Sequence, residues 1–123
     1  MNINRIAIIS IPVKDQQAAK AFYTEKLGFT VLAENPMGPT QTWVQLGIPG
    51  AQTSITLVTW FSNMPAGSAQ GMVLDTADIV ADHAELQAKG VDVSPVEDQP
   101  WGIFTTFTDP DGNGWVLQQS RAM

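Results

Sequence analysis

Cysteine is absent from this chain of 123 residues, and histidine occurs once, as His83. The first absence excludes disulfides, thiolate zinc sites and cysteine nucleophiles, although it does not by itself fix a compartment. Long apolar runs are missing too: the longest apolar stretch, about residues 6–13, is far shorter than the ~20 residues that span a bilayer. The opening Met1-Asn2-Ile3-Asn4-Arg5 lacks the cationic segment, apolar core and small-residue cleavage site of a secretory signal. A cytoplasmic address with no membrane partner is therefore expected. Lys and Arg never cluster, so the basic stripe that displaces counterions from duplex nucleic acid is lacking and no nucleic-acid partner is expected. No glycine-rich phosphate loop links a strand to a helix, and no nucleophile elbow is present.

What remains is an ordinary globular composition, 44% apolar and 15% charged, at a length that suits one domain with a real core. The net charge of −6 is lopsided: residues 1–62 carry four cations against three anions, and residues 63–123 carry two against nine. Such acidity serves solubility first, and it would also attract a cationic ligand.

The pattern of the two halves repeats. Residues 5–13 alternate and are rich in Ile, as a half-buried strand should be. Asp15 stands at a helix N-cap, Ala19, Phe22, Tyr23 and Leu27 mark one helical face, and Gly28 ends the helix. Residues 29–34, 42–46 and 53–60 read as three further strands. After a linker over residues 62–70 the series restarts, with a strand at 71–75, a helix capped by Asp78 with Ile79, His83 and Leu86 on one face, and Gly90 at its end. Strands at 91–96, 103–108 and 115–119 complete it. The run Asp109-Pro110-Asp111-Gly112-Asn113-Gly114 must be a tight hairpin connection, in which Asp109 and Asp111 serve turn bonding and solvation. Asp15 and Asp78 lie 63 residues apart, Gly28 and Gly90 62 apart, so the chain is one unit written twice. The expected fold is α+β: a single domain of two βαβββ modules, about 1–62 and 69–123, with helices covering the outer face of each sheet.

The pieces Val13-Lys14-Asp15, Ala21-Phe22-Tyr23, Leu27-Gly28-Phe29 and Asp109-Pro110-Asp111-Gly112-Asn113, in this order and with a halfway repeat, resemble the vicinal oxygen chelate superfamily. That group contains glyoxalases, extradiol dioxygenases, fosfomycin-resistance transferases and bleomycin-resistance proteins. The resemblance implies paired βαβββ modules whose mixed sheets curl around a cleft, commonly completed by a homodimer. It also implies where metal-dependent members would place their ligands, and here those positions hold Ile8, Thr56, Gly71 and Val116. Ile, Gly and Val offer no side-chain donor, and a neutral Thr hydroxyl is a poor one. No metal, no other cofactor and no catalytic residue is therefore assigned. His83 reads as a half-buried structural residue, and Glu25 and Glu34 as solvated surface groups.

Strand parity locates the cleft. If Ile8, Thr56, Gly71 and Val116 face inward as the ligands they replace would, period two adds Ile6, Ser10, Val58, Trp60, Val73 and Gln118. Ile9, Ile11, Ile55, Leu57, Met72, Leu74, Trp115 and Leu117 then turn to the helices as core. Trp43 and Trp101 join the lining as aromatic candidates whose strand register is open. Trp60 would supply an aromatic face, with Ser10 and Gln118 the orienting hydrogen bonds. The reading is a metal-free binder of a small, largely apolar or aromatic molecule, a cationic one included, in the manner of bleomycin- and mitomycin-sequestering proteins of antibiotic resistance. The alternatives are a glyoxalase-like lyase or isomerase or a dioxygenase, which would need a Lewis acid, and an inert or interaction module whose cleft is filled by its own side chains.

Overall fold

A computed structural model describes residues 1–120. The first half runs β1 (Ile8–Pro12), α1 (Gln16–Glu25), β2 (Thr30–Pro36), β3 (Thr42–Gly47) and β4 (Ser54–Val58); the second runs β5 (Met72–Asp75), α2 (Ile79–Ala88), β6 (Glu97–Gln99), β7 (Gly102–Thr108) and β8 (Gly114–Ser120). The strands form two four-stranded sheets, ordered β1-β4-β3-β2 and β5-β8-β7-β6. In each sheet the first strand runs parallel to the last, and the remaining pairs are antiparallel. The architecture is therefore α+β, two βαβββ units with mixed sheets and peripheral helices.

The same local chemistry builds both helices. Asp15 accepts from the backbone N–H groups of Gln17 and Ala18, and Asp78 from that of Ala81, which satisfies donors that a helix start leaves orphaned. At the other end Gly28 (φ 76°) and Gly90 (φ 84°) turn left-handed, and the next residue's N–H reaches back to the Tyr23 and Leu86 carbonyls. Only glycine takes that φ without a Cβ penalty. Ala19 and Tyr23 of α1 are buried against Ile11, Val44, Leu46, Ile55 and Leu57, while Ile79 and Leu86 of α2 are buried with Phe107, Trp115 and Leu117. The core residues expected in β1, β4, β5 and β8 are thus the ones observed there. His83 is half-buried with Nε2 2.9 Å from the Ser94 carbonyl.

Several boundaries differ from the sequence expectation, each for a reason of pairing. β1 begins at Ile8 rather than Arg5 because its partner β4 begins at Ser54; Ala7 accepts one backbone bond from Ser54, and Ile6 lies outside the ladder. β4 ends at Val58, opposite Pro12, where β1 also stops. Trp60 therefore falls in the following loop, its ring 6.1 Å from that of Phe61. β2 extends to Pro36 and carries a bulge between Val31 and Ala33. The sixth strand is Glu97–Gln99, not residues 91–96. Val91 and Val93 are buried, but Pro95 has no N–H to donate and interrupts any ladder there.

The hairpin at 109–114 does more than turn the chain. Asp109 Oδ1 accepts from the N–H groups of Asp111 and Asn113, as an Asx-type turn requires. Yet Asp109 is only 3% exposed, which corrects the expectation of a solvated carboxylate. Its Oδ2 accepts from the Tyr23 hydroxyl at 2.6 Å and from Asn113 Nδ2 at 2.8 Å. Asn113 Nδ2 also donates to the Pro12 carbonyl, and the Trp115 indole N–H donates to the Tyr23 oxygen. Residues of the second half are thereby keyed into the first through a buried, fully partnered network.

Burial and the neighbouring Asp109 carboxylate push the Tyr23 phenol well above its ordinary range. The neutral phenol is favoured in the folded state, so this contribution to stability is intact below the unfolded tyrosine value of about 10 and falls as pH rises beyond it. Chemical denaturation between about pH 9 and 11.5 should show a downward limb that flattens in Tyr23→Phe. Parallel limbs in the two proteins would remove Tyr23 as its cause.

Candidate functional site

Opposite the helix-covered side, each sheet presents a second face, and the registers identify its residues. In the first sheet Ile8 pairs with Ser54, Ser10 with Thr56, and Thr56 with Gln45 on its other side. This fixes the third strand, placing Trp43 with Gln45 on the face of Ile8 and Ser10. Thr56 and Val58 belong to the face but are 1% exposed, and the Thr56 hydroxyl donates to the Val44 carbonyl at 3.0 Å. The accessible part is Ile8, Ser10, Trp43 and Gln45. Gln45 is a residue the sequence reading missed: its Oε1 accepts from the Trp43 indole N–H at 3.1 Å, and its Nε2 donates to Ser54 Oγ at 2.8 Å. Parity from Trp43 would have found it once the register was known.

In the second sheet Val73 pairs with Val116 and Asp75 with Gln118 on one side, and Thr106 and Phe104 meet Val116 and Gln118 on the other. Gln118 Nε2 donates to Asp75 Oδ1 at 2.8 Å, so its amide oxygen remains to accept. Trp101 is not in a strand; it sits in the β6–β7 turn, 55% exposed, stacked on Phe104 with ring centroids 5.3 Å apart and planes 20° from parallel. Phe104 and Thr106 were also missed, although counting back from Val116 through the tight hairpin reaches both.

Two grooves meet these faces, and of the expected lining residues they reach only Ile8, Gly71 and Val116; Ser10, Trp43 and Gln118 border neither. One of 450 Å³ is bordered by Arg5, Ile8, Leu32, Gln45 and Ser54. The other, of 460 Å³, is bordered by Gly71, Asp92, Ser94, Thr106 and Val116. They share no lining residue, so within one chain Ile8 stands in one groove and Gly71 and Val116 in the other. Glu25 and Glu34 lie elsewhere, as expected of surface groups. Glu25 is exposed on α1, and Glu34 faces that helix, where hydrogen bonds from Lys20 Nζ and Gln17 Nε2, each 2.8 Å, hold its carboxyl below the usual range.

The model of the Glyoxalase/Bleomycin resistance protein/Dioxygenase superfamily matches residues 3–117. The chain belongs to this superfamily. Among solved structures, TnmS3, an antibiotic binding protein from Streptomyces sp. CB03234, superposes with a TM-score of 0.94 at 45% identity, over 98% of this chain and 99% of that one. A glyoxalase/bleomycin resistance protein from the same Streptomyces is 47% identical, with a TM-score of 0.85 and coverage of 94% and 100%. The uncharacterized protein YetH of Bacillus subtilis is 36% identical over 121 residues, 95% of this chain and 99% of its own length.

The residues of this superfamily member do not fit a divalent metal at the positions where metal-dependent relatives would hold one. Ile8 and Val116 carry no donor, and the Thr56 hydroxyl is spent on Val44. Gly71 adopts φ 80°, a conformation that a His in its place would take only with strain. Among the described residues, no group of three or more His, Cys, Asp or Glu side chains is placed to hold a metal ion. The faces offer instead apolar side chains, indole and phenyl rings, and a few amides and hydroxyls. That mixture suits burial of an apolar body with a small number of orienting hydrogen bonds.

Proposed function

We propose that this superfamily member is a metal-independent binding protein that sequesters a small, largely apolar or aromatic molecule and works by binding alone. The observation that carries the proposal is the replacement of a donor set by apolar groups on grooved sheet faces, with Ile8 in one groove and Gly71 and Val116 in the other. Ser10 and Gln118 orient the ligand, and Trp43, Trp60 and Trp101 supply aromatic surface. The 45% identity to an antibiotic binding protein supports the same kind of ligand here, an antibiotic-sized molecule held without chemistry.

A homodimer belongs to the same proposal. Each groove borders only half of the vacated site, and a second copy would set the first sheet's face against the partner's second sheet while covering exposed edges. Light scattering should give about twice the 13.3 kDa chain mass; a species of single-chain mass that persists at higher concentration would refute the dimer.

The experiment for the function is native mass spectrometry and elemental analysis of protein purified from the cytoplasm without an affinity tag. A retained organic molecule with no stoichiometric metal is expected. A divalent metal bound one per chain, whose removal abolishes an activity, would overturn the proposal in favour of a glyoxalase-like lyase or isomerase or a dioxygenase.

A further inference from the structure

A third cavity lies on the helix-covered side; it shares Phe107 with the 460 Å³ groove and no residue with the other. It occupies 110 Å³ between the end of α1 and the middle of α2, over the inner face of the second sheet. Its walls are Leu27, Phe29, Leu74, Leu86, Phe107 and Leu117. The repeat explains why it exists. Counting from the caps Asp15 and Asp78, Phe22 of α1 corresponds to Glu85 of α2, and Tyr23 to Leu86. In the first half these two rings pack edge-on at 5.3 Å, with Tyr23 stacked on Phe29 at 5.7 Å, and fill the space under the helix. In the second half a carboxylate and a leucine stand in their places, and a hollow remains.

We infer that this hollow is a second ligand site, for an uncharged apolar molecule about the size of one aromatic ring. The hollow opens to solvent past Lys26, Asp82 and Glu85, but its floor is apolar and approaches in scale the apolar cavity of about 150 Å³ that admits benzene, so an occupant of that kind would cover it. The charged groups at its rim each have a hydrogen-bond partner within the protein, and Glu85 has its counter-ion in Lys89. Lys26 Nζ donates to the Lys89 carbonyl at 2.7 Å, Asp82 accepts from the Thr76 hydroxyl, and Glu85 accepts from Lys89 Nζ at 2.8 Å. An occupant would touch Leu27 and Phe29 from the first half and Leu74, Leu86, Phe107 and Leu117 from the second, bridging the two.

The test is titration of the full chain with fluorobenzene, followed by ¹⁹F NMR and by methyl shifts of the wall leucines. Saturable binding competed by benzene is expected, with a rise in melting temperature on saturation. Glu85→Phe, which restores the first repeat's residue at the mouth, should abolish both effects, as should Leu74→Phe, which narrows the wall if the first variant does not fold. Trp43→Ala, altered only on the opposite face of the first sheet, should leave them unchanged. Absence of saturable binding, full binding in a folded filling variant, or loss of binding in Trp43→Ala would each overturn the inference.

Discussion

Asp109→Ala should destabilise the protein by about 3–5 kcal/mol, a large share of the ~5–15 kcal/mol that holds a domain folded. The substitution leaves the Tyr23 hydroxyl, one N–H of the Asn113 amide and two backbone N–H groups of the hairpin without their acceptor. Each buried donor so stranded costs about 1–3 kcal/mol, partly relieved where water can enter. Tyr23→Phe removes one donor and leaves the Trp115 indole N–H without an acceptor, so a smaller loss of about 1–2 kcal/mol is expected. Urea midpoints at constant slope measure both, and the double variant should lose less than the two together because the residues share a bond. A loss below about 1 kcal/mol for Asp109→Ala would mean that the Asp109 carboxylate is a passive part of the turn and that the halves are held by other contacts.

The fold was legible because its determinants are local. Asp15 and Asp78 announce their helices by chemistry that needs no partner, Gly28 and Gly90 end them, and the alternation of Ile9 and Ile11 with Ile8 and Ser10 reads the same before and after pairing. Lost were the features decided between strands. Trp60 continues the alternation of β4 in the sequence, but a strand lasts only while its neighbour does, and β1 ends at Pro12. Residues 91–96 alternate as a strand should, yet Pro95 shifts the pairing to Glu97–Gln99. The burial of Asp109 was invisible for a related reason: its partner Tyr23 lies in the other repeat, and no short-range pattern reports a contact across 86 residues. The candidate site divides in the same way. Ile8, Ser10, Val73, Val116 and Gln118 follow from parity within single strands, whereas Gln45 and Phe104 required the register that the completed sheets supply.

Val116→Asp should reduce affinity for the sequestered ligand by at least ~2 kcal/mol, roughly thirtyfold, because the new carboxylate must give up water against an apolar molecule with no cation lining its groove. Val116 borders the 460 Å³ groove and is half-buried on the face away from the core, so the fold should tolerate the change. Trp60→Ala should cost about 1–3 kcal/mol of binding, the scale of one lost aromatic contact. The two variants probe different elements: Val116 is fixed by ladders on both sides, while Trp60 lies in the loop after β4 and lines neither groove. Calorimetry with the molecule retained by the native protein distinguishes the outcomes. A large loss at Val116 with none at Trp60 keeps the site on the second sheet's face and removes the loop from it. Unaltered affinity in both folded variants would place the ligand off these faces, and with it the argument from the vacated metal positions would fail.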